Sequence, residues 1–312
     1  PLALPLAAVG KTDAVADDAD DPAVWVNPSN TAESFILGTN KVEAPNGALY
    51  VFGLDGAVRQ VFRPIDRPNN VDIEYELQTP TGRVDIAVVS ERLRQRLRIF
   101  GVDAKGVTPI DDGGVLVCEG EHGDAAMPMG VALYRRSRDG AIFAIVAPKS
   151  GGTTNYLWQY RLVADSRGVV RGTLVRRFGA FSGTGEIEAA DPDAVDAGRE
   201  LALFGRDGFK LQREGLAILP TGPGRGFLVV SDQIPNASEL RIYRREGRVG
   251  SPHDHSELVA VVPTTADSTD GIEIESRRLG DRYPGGLLLM MSSKERVFRM
   301  HDLRALVARI HD

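Results

Sequence analysis

Apolar residues in this chain fall mostly in short β-branched or aromatic runs set between Gly, Asp, Asn and Pro. That is the pattern of short strands joined by tight turns. Helical periodicity is scarce. It is clearest near the C-terminus, where Leu303, Leu306, Val307 and Ile310 recur at helical spacing behind Asp302, a suitable N-cap. A short helix is predicted over about residues 302–311.

The strand-like runs repeat in a three-part order. An acidic or Asn lead opens one strand, a strongly apolar strand follows, and an alternating strand closes the unit. The first unit runs from Asp20-Asp21-Pro-Ala-Val-Trp through Phe35-Ile-Leu-Gly-Thr-Asn-Lys41 to Ala48-Leu-Tyr-Val-Phe. The others open at Asn70-Val-Asp72, Met129-Gly-Val, Glu214-Gly-Leu and Asp270-Gly-Ile. Three or four strands repeated in this way predict an all-β β-propeller, with each lead strand lining a central channel. A β-sandwich is the structural alternative, but it would not reproduce the same order five times. The expectation is one propeller domain over 1–312 carrying the short C-terminal helix.

The leads lie near residues 21, 70, 129, 214 and 270, so the steps are 49, 59, 85 and 56 residues. A blade takes roughly 40–50 residues, so the 85-residue step is too long for one blade and short for two. Within it, Gly185-Glu-Ile-Glu-Ala-Ala190 resembles an inner strand and Glu200-Leu-Ala-Leu-Phe204 an outer one. No middle pair lies between them. The chain therefore reads as five full blades and a reduced fourth blade.

Composition narrows the function classes. The 34 Gly and 18 Pro suit a turn-rich β protein. A formal net charge of −6 argues against nucleic-acid or anionic-membrane partners. The single Cys118 excludes an intrachain disulfide and a Cys-rich zinc site. No apolar run approaches the roughly 20 residues of a membrane helix. The segment Leu2-Ala-Leu-Pro-Leu-Ala-Ala8 reads equally as the tail of a signal region or as a first strand.

Aligning the repeats sets out two rings of chemistry-bearing residues. The acidic ring sits at the inner-strand starts: Asp17, Asp20 and Asp21, then Asp72, Glu186 and Glu188, Glu214, and Asp267 and Asp270. Carboxylates from separate blades would converge at one channel mouth, which is costly without a cation. Oxygen ligands without Cys favour Ca²⁺ over zinc. The competing reading is ordinary turn chemistry, since Asp often precedes a strand. The basic ring sits at the middle-strand ends: Lys41, Arg92, Lys149 and Lys294. Arg forks and Lys point charges suit phosphate oxygens, although strand ends also carry charge simply to be solvated. His253-Asp-His255 and Lys149-Ser-Gly-Gly-Thr-Thr are weaker motifs, read as a solvated loop and a hairpin turn.

Taken together, Asp20-Asp21-Pro-Ala-Val-Trp, Gly38-Thr-Asn-Lys41, Asn69-Asn-Val-Asp72, Val84-Asp-Ile-Ala87, Arg213-Glu-Gly-Leu216 and Ser268-Thr-Asp-Gly-Ile272 resemble the β-propeller phytases. The resemblance spans about residues 13–305. It implies a six-bladed, calcium-dependent, secreted or periplasmic hydrolase of phytate and related phosphomonoesters, expected to be a monomer. It makes Asp17, Asp21, Glu188, Glu214 and Asp270 expected calcium ligands, to which the acidic ring adds Asp20 and Asp267. Lys41, Arg92 and Lys149 become the expected phosphate binders, with Arg135 standing where the family carries a phosphate-contacting His. The chain departs from the family pattern in three places: Val42 replaces a basic residue, Arg135 replaces that His, and the reduced blade lacks its middle strands together with an acidic ligand. A non-catalytic, calcium-stabilised propeller that binds a phosphorylated partner is the alternative reading.

Overall fold

The computed structural model describes residues 4–196, 198–206 and 208–311. Five antiparallel sheets of four or five strands follow one another along the chain. The first blade contains Ala19–Trp25, Phe35–Asn40, Ala48–Gly53 and Val58–Phe62. The second is built on Pro68–Thr79, Gly82–Glu91 and Arg96–Asp103, and both of its short outer strands pair with the last of these. The third contains Pro128–Arg135, Ile142–Pro148, Thr154–Ala164 and Val170–Ala180. The fourth full blade contains Gln212–Gly222, Arg225–Ile234, Ala237–Arg244 and Leu258–Pro263. The last is built on Ile272–Glu275, Leu287–Ser292 and Val297–Asp302.

The outer strand of the last blade comes from the other end of the chain. Gly10 pairs with Met300 and Lys11 with Arg299. Leu6 is buried against the fourth and last blades and bridges Thr264. Part of the Leu2–Ala8 segment thus belongs to the ring closure; Leu2 and Ala3 lie outside the described residues.

Between the third and fourth full blades sits a two-stranded remnant, Ile187–Ala189 paired with Ala202–Phe204. The ring therefore holds five full blades and a reduced unit, not six complete ones. Residues 191–196 of the connection are exposed or half-buried.

Apolar side chains from facing sheets fill the spaces between blades. Trp25, Leu37 and Val51 of the first blade meet Ala87, Val89 and Phe100 of the second. Ile86, Val88 and Ile99 of the second meet Ala144, Val146 and Tyr160 of the third. The remnant covers only a small cluster on the fourth full blade, where Phe204 packs on Val230 and Tyr243. Towards the third blade its described contacts are polar: Tyr134 donates to Asp193 at 2.8 Å and Arg176 to the Ala194 carbonyl at 2.7 Å.

The helix Leu303–His311 starts where the Asp302 carboxylate accepts the Arg304 N–H at 3.0 Å, and Leu303, Leu306 and Ile310 pack on the last two blades. Just before it lies His301, fully buried, whose burial lowers its pKa to about 4. In the unfolded chain it titrates near 6.5. As pH falls through that window the unfolded state gains a proton that the folded state refuses, so stability is lost between pH 7 and pH 4. The expected loss from this group is about 3 kcal/mol. His301→Leu should remove it, so that in urea melts the stability of the wild type falls by about 3 kcal/mol relative to the variant between pH 7 and pH 4. Parallel pH profiles for the two proteins would contradict this.

Candidate active site

The inner strands bring their leads to one mouth of the channel. A pocket of about 700 Å³ opens there, with Asp20, Asp21, Lys41, Asp72, Glu214 and Asp270 on its wall. Glycine makes the close approach possible. A Cβ on Gly271 would lie 2.3 Å from Asp21 Oδ1 and 2.8 Å from the Asp20 carbonyl. A Cβ on Gly215 would lie 2.7 Å from the Ile272 amide nitrogen. These two residues let three inner strands touch at the mouth.

Asp20 and Asp21 are buried, and the carboxyls raise one another's proton affinity. Burial, then the surrounding carboxylates, lifts Asp20 well above the usual range, with Lys41 opposing. Burial and the nearby charge of Asp72 bring Asp21 to about 7, although the Val71 N–H donates to it at 3.0 Å. Asp72, half-buried and accepting the Leu133 and Ile73 amides, is raised to about 6 by loss of solvation. Burial and then Asp270 raise Glu214.

Lys41 is the ammonium among these carboxylates. Its Nζ donates to Asp20 Oδ1 and, at 3.0 Å, to Asp270 Oδ2. Burial disfavours its charge, but the two carboxylates outweigh that and raise its pKa. From Asp20 the network continues outward. Asn69 Nδ2 donates to Asp20 Oδ2 at 2.9 Å, and Arg92 donates to Asn69 Oδ1 at 2.8 Å. Arg92 Nε is buried without a partner. Asp124 is a charge neighbour of Arg92 and pairs with Lys149 Nζ at 2.8 Å. A chain of contacts and charge neighbours therefore joins Lys41 to Arg92 and Lys149; of the three, Lys41 lines the pocket, and Arg92 reaches its wall through Asn69.

Other residues picked out by sequence lie elsewhere. Arg135 ends the inner strand of the third blade at the edge far from Lys149, since Pro128 pairs with Pro148 and Arg135 with Ile142. There it binds Glu76 at 2.6 Å. It does not join the basic cluster. Glu188 sits on the remnant, accepting from Tyr156 Oη and the Ala180 amide of the third blade, with Glu200 as its charge neighbour. Without middle strands, nothing carries it to the mouth. Asp267 caps the turn of the last blade, accepting from Ser292 Oγ and from the Lys294 amide at 3.0 Å. This is the turn role, and Lys294 shares that turn. Asp17 lies behind the mouth, where Asn40 Nδ2 donates to it at 3.1 Å. His255 is bonded to the Arg244 carbonyl and packs edge-on against Phe204.

Sequence reasoning missed the amides. Asn69 and Gln233, which donates to Asp270, link the charged groups. Asn69 carries a readable signal, since Asn69-Asn70 stand near the start of their inner strand as Asp20-Asp21 do in the first. Glu273, deeper in the channel, is held well above the usual carboxylate range by burial and then by Asp72 and Asp21.

The donor set suits a hard divalent cation: oxygen atoms only, on separate blades, mutually repelling and already holding one ammonium. Among the described residues, no three His, Cys, Asp or Glu side chains form a ready-made metal cage.

The family model described as Phytase matches residues 3–193, ending within the reduced unit. A 3-phytase of Bacillus subtilis (strain 168) is 27% identical over 306 residues, covering 89% of this chain and 76% of that protein. Among solved structures, BBS1N in complex with ARL6DN, soaked with mercury, matches with a TM-score of 0.47 at 13% identity, over 95% of this chain and 94% of that one. Chaetomium thermophilum Sqt1 matches with a TM-score of 0.45 at 14% identity, over 95% and 85%. Structural likenesses this remote carry no functional argument.

Proposed function

The chain belongs to the phytase family of phosphomonoester hydrolases, and we propose that the channel mouth is where it hydrolyses phytate, with calcium held among the mouth carboxylates. The observation that carries this reading is the contact chain Arg92–Asn69–Asp20–Lys41–Asp270, which sets phosphate-binding cations directly beside carboxylates that lack sufficient counter-charge.

Asp20, Asp21, Glu214 and Asp270 would hold the calcium. Bound there, it would supply positive charge for the phosphate oxygens and acidify water. Lys41 and Lys149 bring point charges to the phosphate, and Arg92 brings a planar fork whose orientation is fixed by Asn69. Fixed cations of this kind orient the phosphorus for in-line attack and stabilise charge that develops on its oxygens. Asp17, Glu188 and Asp267 stand outside this set for the reasons of placement given above. No helix among the described residues is long and apolar enough to cross a membrane. We place the protein in the secreted or periplasmic compartment, as a monomer, in keeping with the family habit.

The test is phosphate release from phytate with and without a chelator, together with thermal melting. Calcium should raise the melting temperature, because an ion that binds only the folded state stabilises it by mass action. Chelation should lower that temperature by several degrees and stop release. Melting that ignores both calcium and chelator would remove the metal site. Absence of release at every calcium concentration would favour a non-catalytic module that binds a phosphorylated partner, a reading that the reduced blade supports.

A further inference from the structure

The mouth pocket has two unlike sides. One carries Asp20, Lys41 and Asp270 of the first and last blades; the other carries Met129 and Pro148 of the third blade and Leu216 of the fourth, an apolar strip that Glu214 borders. The apolar side exists because the reduced unit has only two strands of three residues. Phe204 of that unit covers Val230 and Tyr243, but it leaves the inner-strand residues of the same blade face open. Leu216 remains 51% exposed and Ile218 45%. A full blade would bury such a row against its own sheet, as the other blades do. Instead, its first member, Leu216, joins the wall of the mouth pocket.

Resting on the hydrolase reading above, we propose that the enzyme also takes aryl phosphomonoesters, with the phosphate on the Lys41 side and the aromatic ring along Met129, Pro148 and Leu216. A wall of this kind offers a flat apolar ring burial from water, whereas it offers nothing to the further phosphates of a polyphosphorylated ring. The chemistry is simple hydrolysis. Water oxygen bonds to phosphorus, the bond from phosphorus to the aryl oxygen breaks, and the departing aryloxide takes up the proton released. The products are orthophosphate and the free phenol, with no further reactant. Because phenols titrate near 10, the aryloxide leaves without the help of a general acid.

The probes are 1-naphthyl phosphate and phytate, each assayed with the full chain in calcium. Wild type should release phosphate from both. Leu216→Lys, at an exposed position, places a hydrated charge on the apolar wall. It should lower the ratio of kcat/KM for naphthyl phosphate over phytate about tenfold, mainly through KM for the aryl ester. Leu216→Met should restore the ratio. Release from phytate alone, or a ratio that Leu216→Lys leaves unmoved, would overturn this proposal and leave the hydrolase reading standing. Release from neither substrate would overturn both.

Discussion

Arg92→Ala should lower kcat/KM for phytate about a hundredfold, a loss of roughly 2.7 kcal/mol of transition-state stabilisation. Arg92 follows the middle strand of the second blade and is buried, with one arm of its guanidinium committed to Asn69. The fork can then meet two phosphate oxygens in a fixed plane. Arg92→Lys keeps the charge and loses the plane, so it should cost about tenfold, or roughly 1.4 kcal/mol. Calcium-dependent melting should be nearly the same in both variants, because Arg92 reaches the carboxylates only through Asn69. Steady-state kinetics beside calorimetry separate the two effects. Wild-type kcat/KM in both variants would reduce Arg92 to a packed strand end.

Asp111→Ala should destabilise the fold by about 3–5 kcal/mol, because it strands a buried guanidinium. Asp111 Oδ2 accepts Arg98 Nε at 2.8 Å and the Ile99 amide at 2.8 Å, while Oδ1 accepts the Gly113 amide at 3.1 Å. Arg98 is itself buried, lying over the rings of Phe62 and Phe100. Its remaining acidic neighbour, Glu91, is 4.0 Å away and already bound to Arg96. The pair contributes less than its removal costs, since two charges had to be taken out of water. Arg98→Met combined with Asp111→Leu should therefore recover much of the loss in urea melts. A double variant as unstable as Asp111→Ala alone would show that the backbone bonds to Asp111, and not the charge pair, dominate.

Much of the architecture was legible because a propeller repeats its chemistry. Each middle strand is a dense apolar run, such as Leu287-Leu-Leu-Met-Met291, and four of the five leads are acidic or amide, Met129 being the exception, so the unit announces itself repeatedly. Spacing alone exposed the reduced unit. The closing strand Gly10–Lys11 was not legible, since two residues carry no periodicity and their pairing is decided by partners at the far end of the chain.

At the site, Asp20, Asp21, Glu214 and Asp270 were readable as acidic leads of inner strands and Lys41 as the basic end of a middle strand, and the structure brings the five to one pocket. Arg135 misled because it ends an inner strand, and the far end of such a strand faces away from the mouth. Glu188 misled because its position assumed a complete blade around it. Asn69 and Gln233 escaped notice because uncharged amides look like turn residues until their partners are seen.

The ring closes through residues that are remote in sequence: Phe298 donates its amide to Thr12 Oγ1 across 286 positions. Closing a loop of that size costs on the order of 5 kcal/mol of chain entropy, and the cost falls before the contact rewards it. The seam is therefore expected to form late and to set the folding rate, as non-local pairing does in other β topologies. Once made, it keeps the blades from peeling away from either end of the array. The toroid should therefore let go as one unit, slowly, rather than blade by blade, and its persistence would then be governed by the height of the unfolding barrier.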